Sequence, residues 1–245
     1  GEVFQYPPKL IPSVIQWWNY SDAWAQFPFL SALKNTMLIV VGVSLGRVAS
    51  CSLTAYVFAR LRFPLRNVLF MLVLSTMMIP YHAVLLPQYL FFRNLGWLDS
   101  LRPLIAPQFL AVSAFYVFLF RQFFMTIPPD YDDAARIDGA SYFGTFWHII
   151  LPMSKAVLGT VLIFTFMEQW NDFLAPLIYL NSKDNLTLAI AIKQWQYMAT
   201  AMFYHPAKWN HIMAMCTLIS VPPVLVFFFT QRYFVQGVVV TGIKG

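Results

Sequence analysis

Charge is scarce in this chain, so the few charged side chains inside its apolar runs are the first candidates for function. Arg47 stands in TMLIVVGVSLGRVASCSLTAYVF (36–58). Glu168 and Asp172 stand one helical turn apart in a second apolar run, 155–180, with Asn171 beside them. Such charges are costly within a span; they face a bundle interior or a water-filled cavity, where they pair or line a path. The chemistry is therefore recognition or gating. Depth selects the pair. Counting inward from residue 36 puts Arg47 roughly 17 Å below one face, and counting outward from 155 puts Glu168 about 20 Å above the other. In an apolar core about 30 Å thick the two differ in depth by roughly 7 Å. Asp172 lies a turn farther away. The expectation is an Arg47–Glu168 pair that excludes Asp172; the competing reading makes Arg47, Glu168, Asn171 and Asp172 separate parts of a translocation path.

A second charged group, DDAARIDGASYFGTFWHIILP (132–152), interrupts the apolar sequence differently. Asp130, after Pro128-Pro129, is expected to cap a helix, with Asp132 and Asp133 at the positive end of its dipole. Arg136 follows Asp132 by four residues, a favourable pairing on one face. Gly139 is expected to end the helix in a left-handed conformation. The result is a short exposed helix over 131–138, too short to hold without a docking partner.

Bond-making chemistry finds no support. His82, His148, His205 and His211 are scattered without metal-ligand spacing. No phosphate-cradling loop G-x-x-x-x-G-K-[ST] and no H-E-x-x-H occurs, so the chain is not expected to hydrolyse ATP. Cys51 and Cys216 lie in apolar runs and read as small buried residues. No basic cluster exceeds RLRFPLR (60–66), so nucleic acid is not an expected partner.

These residues must be positioned by membrane helices. The 245 residues are 59% hydrophobic and 11% charged, against roughly 25% charged in an average soluble domain. Such a chain cannot clothe its surface in polar groups, and an all-α integral membrane protein is expected. Five stretches are long enough to span: about 36–58, 67–90 with Pro80 and Pro87 inside, 103–124, 155–180, and 209–230 with Pro222-Pro223 inside. Arg60, Arg62 and Arg66 place the 59–66 turn, and with it 125–154, in the cytoplasm. Gly42, Gly46, Ser50 and Thr54 form a small-residue stripe on the first span, suited either to a partner subunit or to packing within this one. The Trp- and Tyr-rich residues 1–35 read as an external, interfacial segment, and the start suggests that a preceding segment is missing.

The spacing Asp133-Ala134-Ala135, three residues, Gly139, nine residues, Ile149-x-Leu151-Pro152 resembles the EAA loop of permease subunits of bacterial ATP-binding-cassette (ABC) importers. Asp133 stands where that family has Glu. LKNTMLIV (33–40), LTAYVFARLRF (53–63), FFRNLGWLDS (91–100), WNDFLAPLIYL (170–180) and QRYFVQGVVVTGIKG (231–245) resemble the maltose-type carbohydrate permeases. The resemblance implies a transmembrane permease domain over 36–245 in a multi-pass bacterial cytoplasmic membrane protein, with a cytoplasmic loop at 126–152. Family members have six spans, so the first would be absent here. The resemblance makes Asp132, Asp133, Ala134, Ala135, Arg136 and Gly139 a coupling helix that docks on a cytoplasmic ATPase. It places the tail, with Gly242 and Lys244, against the ATPase dimer. It implies a second permease, two ATPase subunits carrying the ATP, an external solute-binding protein and a sugar-like solute. The rivals are an ion-coupled secondary transporter using Glu168 and Asp172 and a membrane-embedded enzyme.

Overall fold

The computed structural model describes residues 6–7, 14–201 and 209–242, with side chains of 198–201 and of 230 onward left aside. Among the described residues the regular structure is entirely helical. A short helix α1 (Trp18–Gln26) exposes Trp18 and Trp24, and Trp17 just before it is also exposed, as suits an interfacial segment. It leads into α2 (Phe29–Arg60), 32 residues long and starting seven residues before the expected span. This mast packs against several of the helices that follow. Its outward face carries Leu38, Val41 and Leu45, all exposed. Its inward face buries polar groups, among them Asn35, Thr36, Arg47 and Ser52.

The next expected span is broken. Helix α3 (Arg66–Ser75) ends in a tight turn at Thr76–Met78, and α4 (Tyr81–Asn94) leaves at 95° to it. The cause is local: Pro80 drives the residue before it out of the helical region, and Ile79 has ψ 115°. Pro87 lies within α4 and does not break it. The third span is also discontinuous. Helix α5 (Arg102–Ile105) and a 3₁₀ stretch, Ala106–Leu110, end at Ala111 with φ +53°, and α6 (Ala114–Thr126) resumes the descent.

Two short helices, α7 (Asp130–Ile137) and α8 (Tyr142–Thr145), form the loop beyond α6. A wide turn, Phe146–Ile150, and α9 (Leu151–Met153) carry the chain to Ser154, where it bends by 77° into α10 (Lys155–Asn171). The span thus begins at Lys155, as the sequence predicts. It ends at Asn171, because Asp172 is extended, and α11 (Leu174–Tyr179) follows as a separate turn and a half. Helices α12 (Leu188–Ala201) and α13 (Trp209–Gly242) close the fold, and Pro222-Pro223 lie inside α13. Three helical stretches are long and apolar enough to cross a membrane, and five if each bent pair counts as one.

The core is divided along α2. One cluster, around Tyr56, Phe120, Phe124, Phe146 and Ile150, lies at the end carrying α7. Another, with Ile39, Val43, Phe92, Leu104 and Tyr179, lies at the opposite end. Polar side chains concentrate between them.

Candidate functional site

Arg47 and Glu168 form a two-pronged ion pair across α2 and α10. Arg47 Nη1 donates to Glu168 Oε2 at 2.7 Å and Nη2 donates to Oε1 at 2.8 Å. Arg47 Nε donates to Gln108 Oε1 at 3.0 Å, and the Tyr116 hydroxyl donates to Glu168 Oε2 at 3.0 Å. The guanidinium also lies 4.5 Å from the centroid of the Tyr116 ring. Planar, doubly hydrogen-bonded geometry with the ring beneath is what makes arginine suited to a low-dielectric site. The two partners differ in exposure: Arg47 is 4% exposed and Glu168 50%. The pair therefore has one carboxylate face turned to open space.

That space is shaped by the break in the third span. The freed backbone of residues 108–111 is met by Ser50, whose Oγ lies 2.7 Å from the Gln108 carbonyl and accepts from the Ala111 N–H at 3.1 Å. Irregular backbone at membrane depth is tolerated only when protein or a cavity satisfies it. Close approach requires the small-residue stripe. A Cβ on Gly42 would meet the Ile105 side chain at 2.7 Å, and one on Gly46 would meet the Gln108 backbone at 3.0 Å. Gly42, Gly46 and Ser50 thus receive this chain's own α5 region, which decides between the two readings of the stripe in favour of packing within the subunit.

Asp172 does not join the pair. Its Oδ1 accepts from the Ala175 N–H at 3.4 Å, at the start of α11, and Asn171 donates to the Met167 carbonyl at 2.7 Å. Both line a cavity of about 500 Å³ together with Tyr81, Gln88, Gln108, Gln169 and the ion pair.

At the other end, α7 departs from the expected details. Asp130 is the first helical residue and not the cap, which is Pro129, and no side chain caps the helix. Proline at that position has already set the helical φ, so the three aspartates act through the dipole instead. Asp132 makes its ion pair with Arg60 and not with Arg136: Arg60 Nη1 lies 3.3 Å from Asp132 Oδ2, and Nη2 donates to the Ile127 carbonyl at 2.7 Å. Arg136 instead lies 5.0 Å above the Tyr142 ring. Burial pushes the Asp132 carboxyl above its ordinary value, against the opposing pull of Arg60 and then Arg136. Gly139 has φ +80° and ends the helix as expected. Ser141 caps α8 by accepting from the Gly144 N–H at 3.1 Å.

The coupling candidates therefore divide between two faces. Asp132 and Ala135 are buried against the bundle, while Asp133, Ala134, Arg136 and Gly139 are exposed. Beside them lies an apolar surface that sequence reasoning missed: Ile137 is 87% exposed, with Tyr142, Phe143 and Trp147 also open. The signal was present as large apolar residues outside any span. Gly242 is the last residue of α13, and Lys244 lies outside the described residues.

Also missed was Asp99. This residue, at φ +55°, accepts from the N–H groups of Asn181 and Ser182 at 3.0 and 2.8 Å, from the Ser182 hydroxyl, and from the Asn185 amide at 3.2 Å. These bonds, the Ser182 hydroxyl first, hold its carboxyl well below the usual carboxylate range. Asn35 ties the same loop to α2 by donating to the Asp184 and Leu186 carbonyls at 2.7 and 3.0 Å.

Residues 42–240 match the family described as binding-protein-dependent transport system inner membrane component. The sn-glycerol-3-phosphate transport system permease protein UgpE of Yersinia enterocolitica is 37% identical over 244 residues, covering 97% of this chain and 85% of that protein. UgpE of Pectobacterium atrosepticum is 36% identical with the same coverage. Among solved structures, a bacterial ABC transporter involved in the import of the acidic polysaccharide alginate contains a chain of similar fold. Its TM-score is 0.82 at 23% identity, covering 95% of this chain and 85% of that one.

Proposed function

Because the chain belongs to the family of binding-protein-dependent transport system inner membrane components, we propose that it forms half of the translocation path of an ATP-driven importer in the bacterial cytoplasmic membrane. The permease domain is residues 36–245, with 1–35 on the external side and 126–152 as the cytoplasmic loop. The partners are a second permease, two ATPase subunits that carry the ATP, and an external solute-binding protein. This chain itself holds no nucleotide.

The observation that carries the reading is the split of α7. One face is anchored to α2 through Asp132 and Arg60, while Ala134, Ile137 and the neighbouring aromatics stand open. A helix of eight residues anchored on one side, with Ile137 exposed beside Asp133 and Arg136 on the other, suits a lever that seats in an ATPase. The tail bearing Gly242 and Lys244 reaches the same partner.

The solute is a sugar or a sugar-like molecule. The cavity beside Arg47 offers the amides of Gln88, Gln108, Gln169 and Asn171 and the hydroxyl of Tyr81, groups that exchange hydrogen bonds with solute hydroxyls. Arg47 is engaged by Glu168, so its charge is already met. Engagement of Glu168 by Arg47 and Tyr116 also disfavours an ion-coupled carrier that would use this carboxylate as its coupling site.

The test is reconstitution. The chain, co-expressed with the permease, ATPase and binding protein encoded beside it, should co-purify with them. In vesicles the complex should accumulate solute only with both ATP and the binding protein present. Uptake driven by an ion gradient without ATP would overturn the proposal.

A further inference from the structure

A second cavity, of about 460 Å³, lies on the opposite side of the ion pair from the first. The two cavities share Arg47, Val112 and Glu168 in their walls. Chain direction shows how they are stacked. On the third span, which descends from the Asp99 end toward α7, Gln108 opens on the first cavity and Ser113 to Tyr116 on the second. On α10, which ascends, Phe164 and Met167 open on the second and Asn171 on the first. At the bend between α3 and α4, Thr76 opens on the second and Tyr81 on the first. Each of these segments thus gives the same order. The first cavity lies toward the Asp99 end, the second toward the α7 end, and the ion pair lies between them.

We infer that the Arg47–Glu168 pair, with Val112, is a gate that separates an outer from an inner solute cavity. The inference rests on the permease reading for its direction. The parts suit a gate. Arg47 is anchored on an unbroken helix, and Glu168, half exposed, is the member with room to swing. Gln108 and Val112 belong to the discontinuous stretch of the third span, and backbone freed from the helical ladder can shift without breaking that ladder. A bidentate ion pair closes firmly in a low dielectric, and water entering with a hydrated solute weakens it.

The experiment uses the whole complex in vesicles loaded with sorbitol, a small neutral polyol, and with a dextran too large for either cavity. Efflux is followed without ATP and without binding protein. Glu168→Gln and, independently, Val112→Ala should each release sorbitol about tenfold faster than wild type, as a shift in gate population requires, and should retain dextran. The charge-swapped double variant Arg47→Glu/Glu168→Arg should reseal the vesicles. Assembled variants that stay as tight as wild type, even with lowered stability, would reduce the pair to a register lock and overturn the gate. Dextran loss together with sorbitol would equally overturn it, since the leak would then bypass the cavities. Failure of the wild-type complex to show ATP- and binding-protein-dependent uptake would instead sink the permease reading.

Discussion

Arg60, the last residue of α2, holds the carboxylate of Asp132 on α7 at 3.3 Å, and both side chains are nearly buried. Neither Arg60 Nε nor Asp132 Oδ2 has a hydrogen bond, so the contact is electrostatic and not finely aligned. It joins the proposed lever directly to the 32-residue helix α2. Arg60→Met would leave a buried carboxylate uncompensated, a loss of about 3 kcal/mol at such a site. ATP hydrolysis by the complex should continue while solute uptake falls. Parallel measurement of the two rates checks this; equal loss of both would place the ion pair in stability alone.

Ile137 tests the docking face. At 87% exposure it contributes little to the fold, and Ile137→Asp should change thermal stability of the isolated permease by less than about 0.5 kcal/mol. Co-purification of the ATPase should nevertheless be lost. Retention of the ATPase at wild-type stoichiometry would move the docking surface elsewhere.

Gly139 sits at φ +80° with open space around it, so its constraint is backbone conformation and not crowding. Gly139→Val should cost about 1–2 kcal/mol locally, reorienting α7 without preventing membrane insertion. Uptake should be abolished, and Gly139→Asp should act in the same direction more mildly, since Asp tolerates the left-handed region better. Normal transport by the Val variant would detach this turn from coupling.

The Arg47–Glu168 pair is measured by a double-mutant cycle. Arg47→Met and Glu168→Gln should each destabilise the complex by about 2 kcal/mol, less than a fully buried pair because Glu168 is half exposed. The double variant should recover much of the loss. Strictly additive thermal shifts would show that the two residues act separately.

Asp99 makes a pH prediction. Its folded carboxyl titrates below its unfolded one, so its stabilisation is complete above the unfolded value and disappears as pH falls through the folded one. The difference in melting temperature between wild type and Asp99→Asn should therefore persist undiminished from neutral pH down to about pH 4, the ordinary carboxylate range. A difference that has vanished by pH 5 would contradict the clasp.

Some of this was legible in the residues alone, and the reason is dimensional. Within a membrane span, position is one coordinate, so counting residues from each end was enough to match Arg47 with Glu168 and to exclude Asp172. The left-handed stop at Gly139 is equally local, and composition alone demands lipid as solvent. Tertiary structure decided the rest. Asp132 had Arg136 one turn away and Arg60 far along the chain, and only the docking of α7 on α2 chose Arg60. The stripe Gly42-Gly46-Ser50 could receive any close helix; it receives residues 105–111 because Ser50 satisfies the backbone that the break there exposes. Asp99 reads as an ordinary turn residue until a loop 83 residues away supplies its donors. Broken helices and long-range clasps depend on partners that sequence separation hides, whereas depth in a membrane and the sign of φ do not.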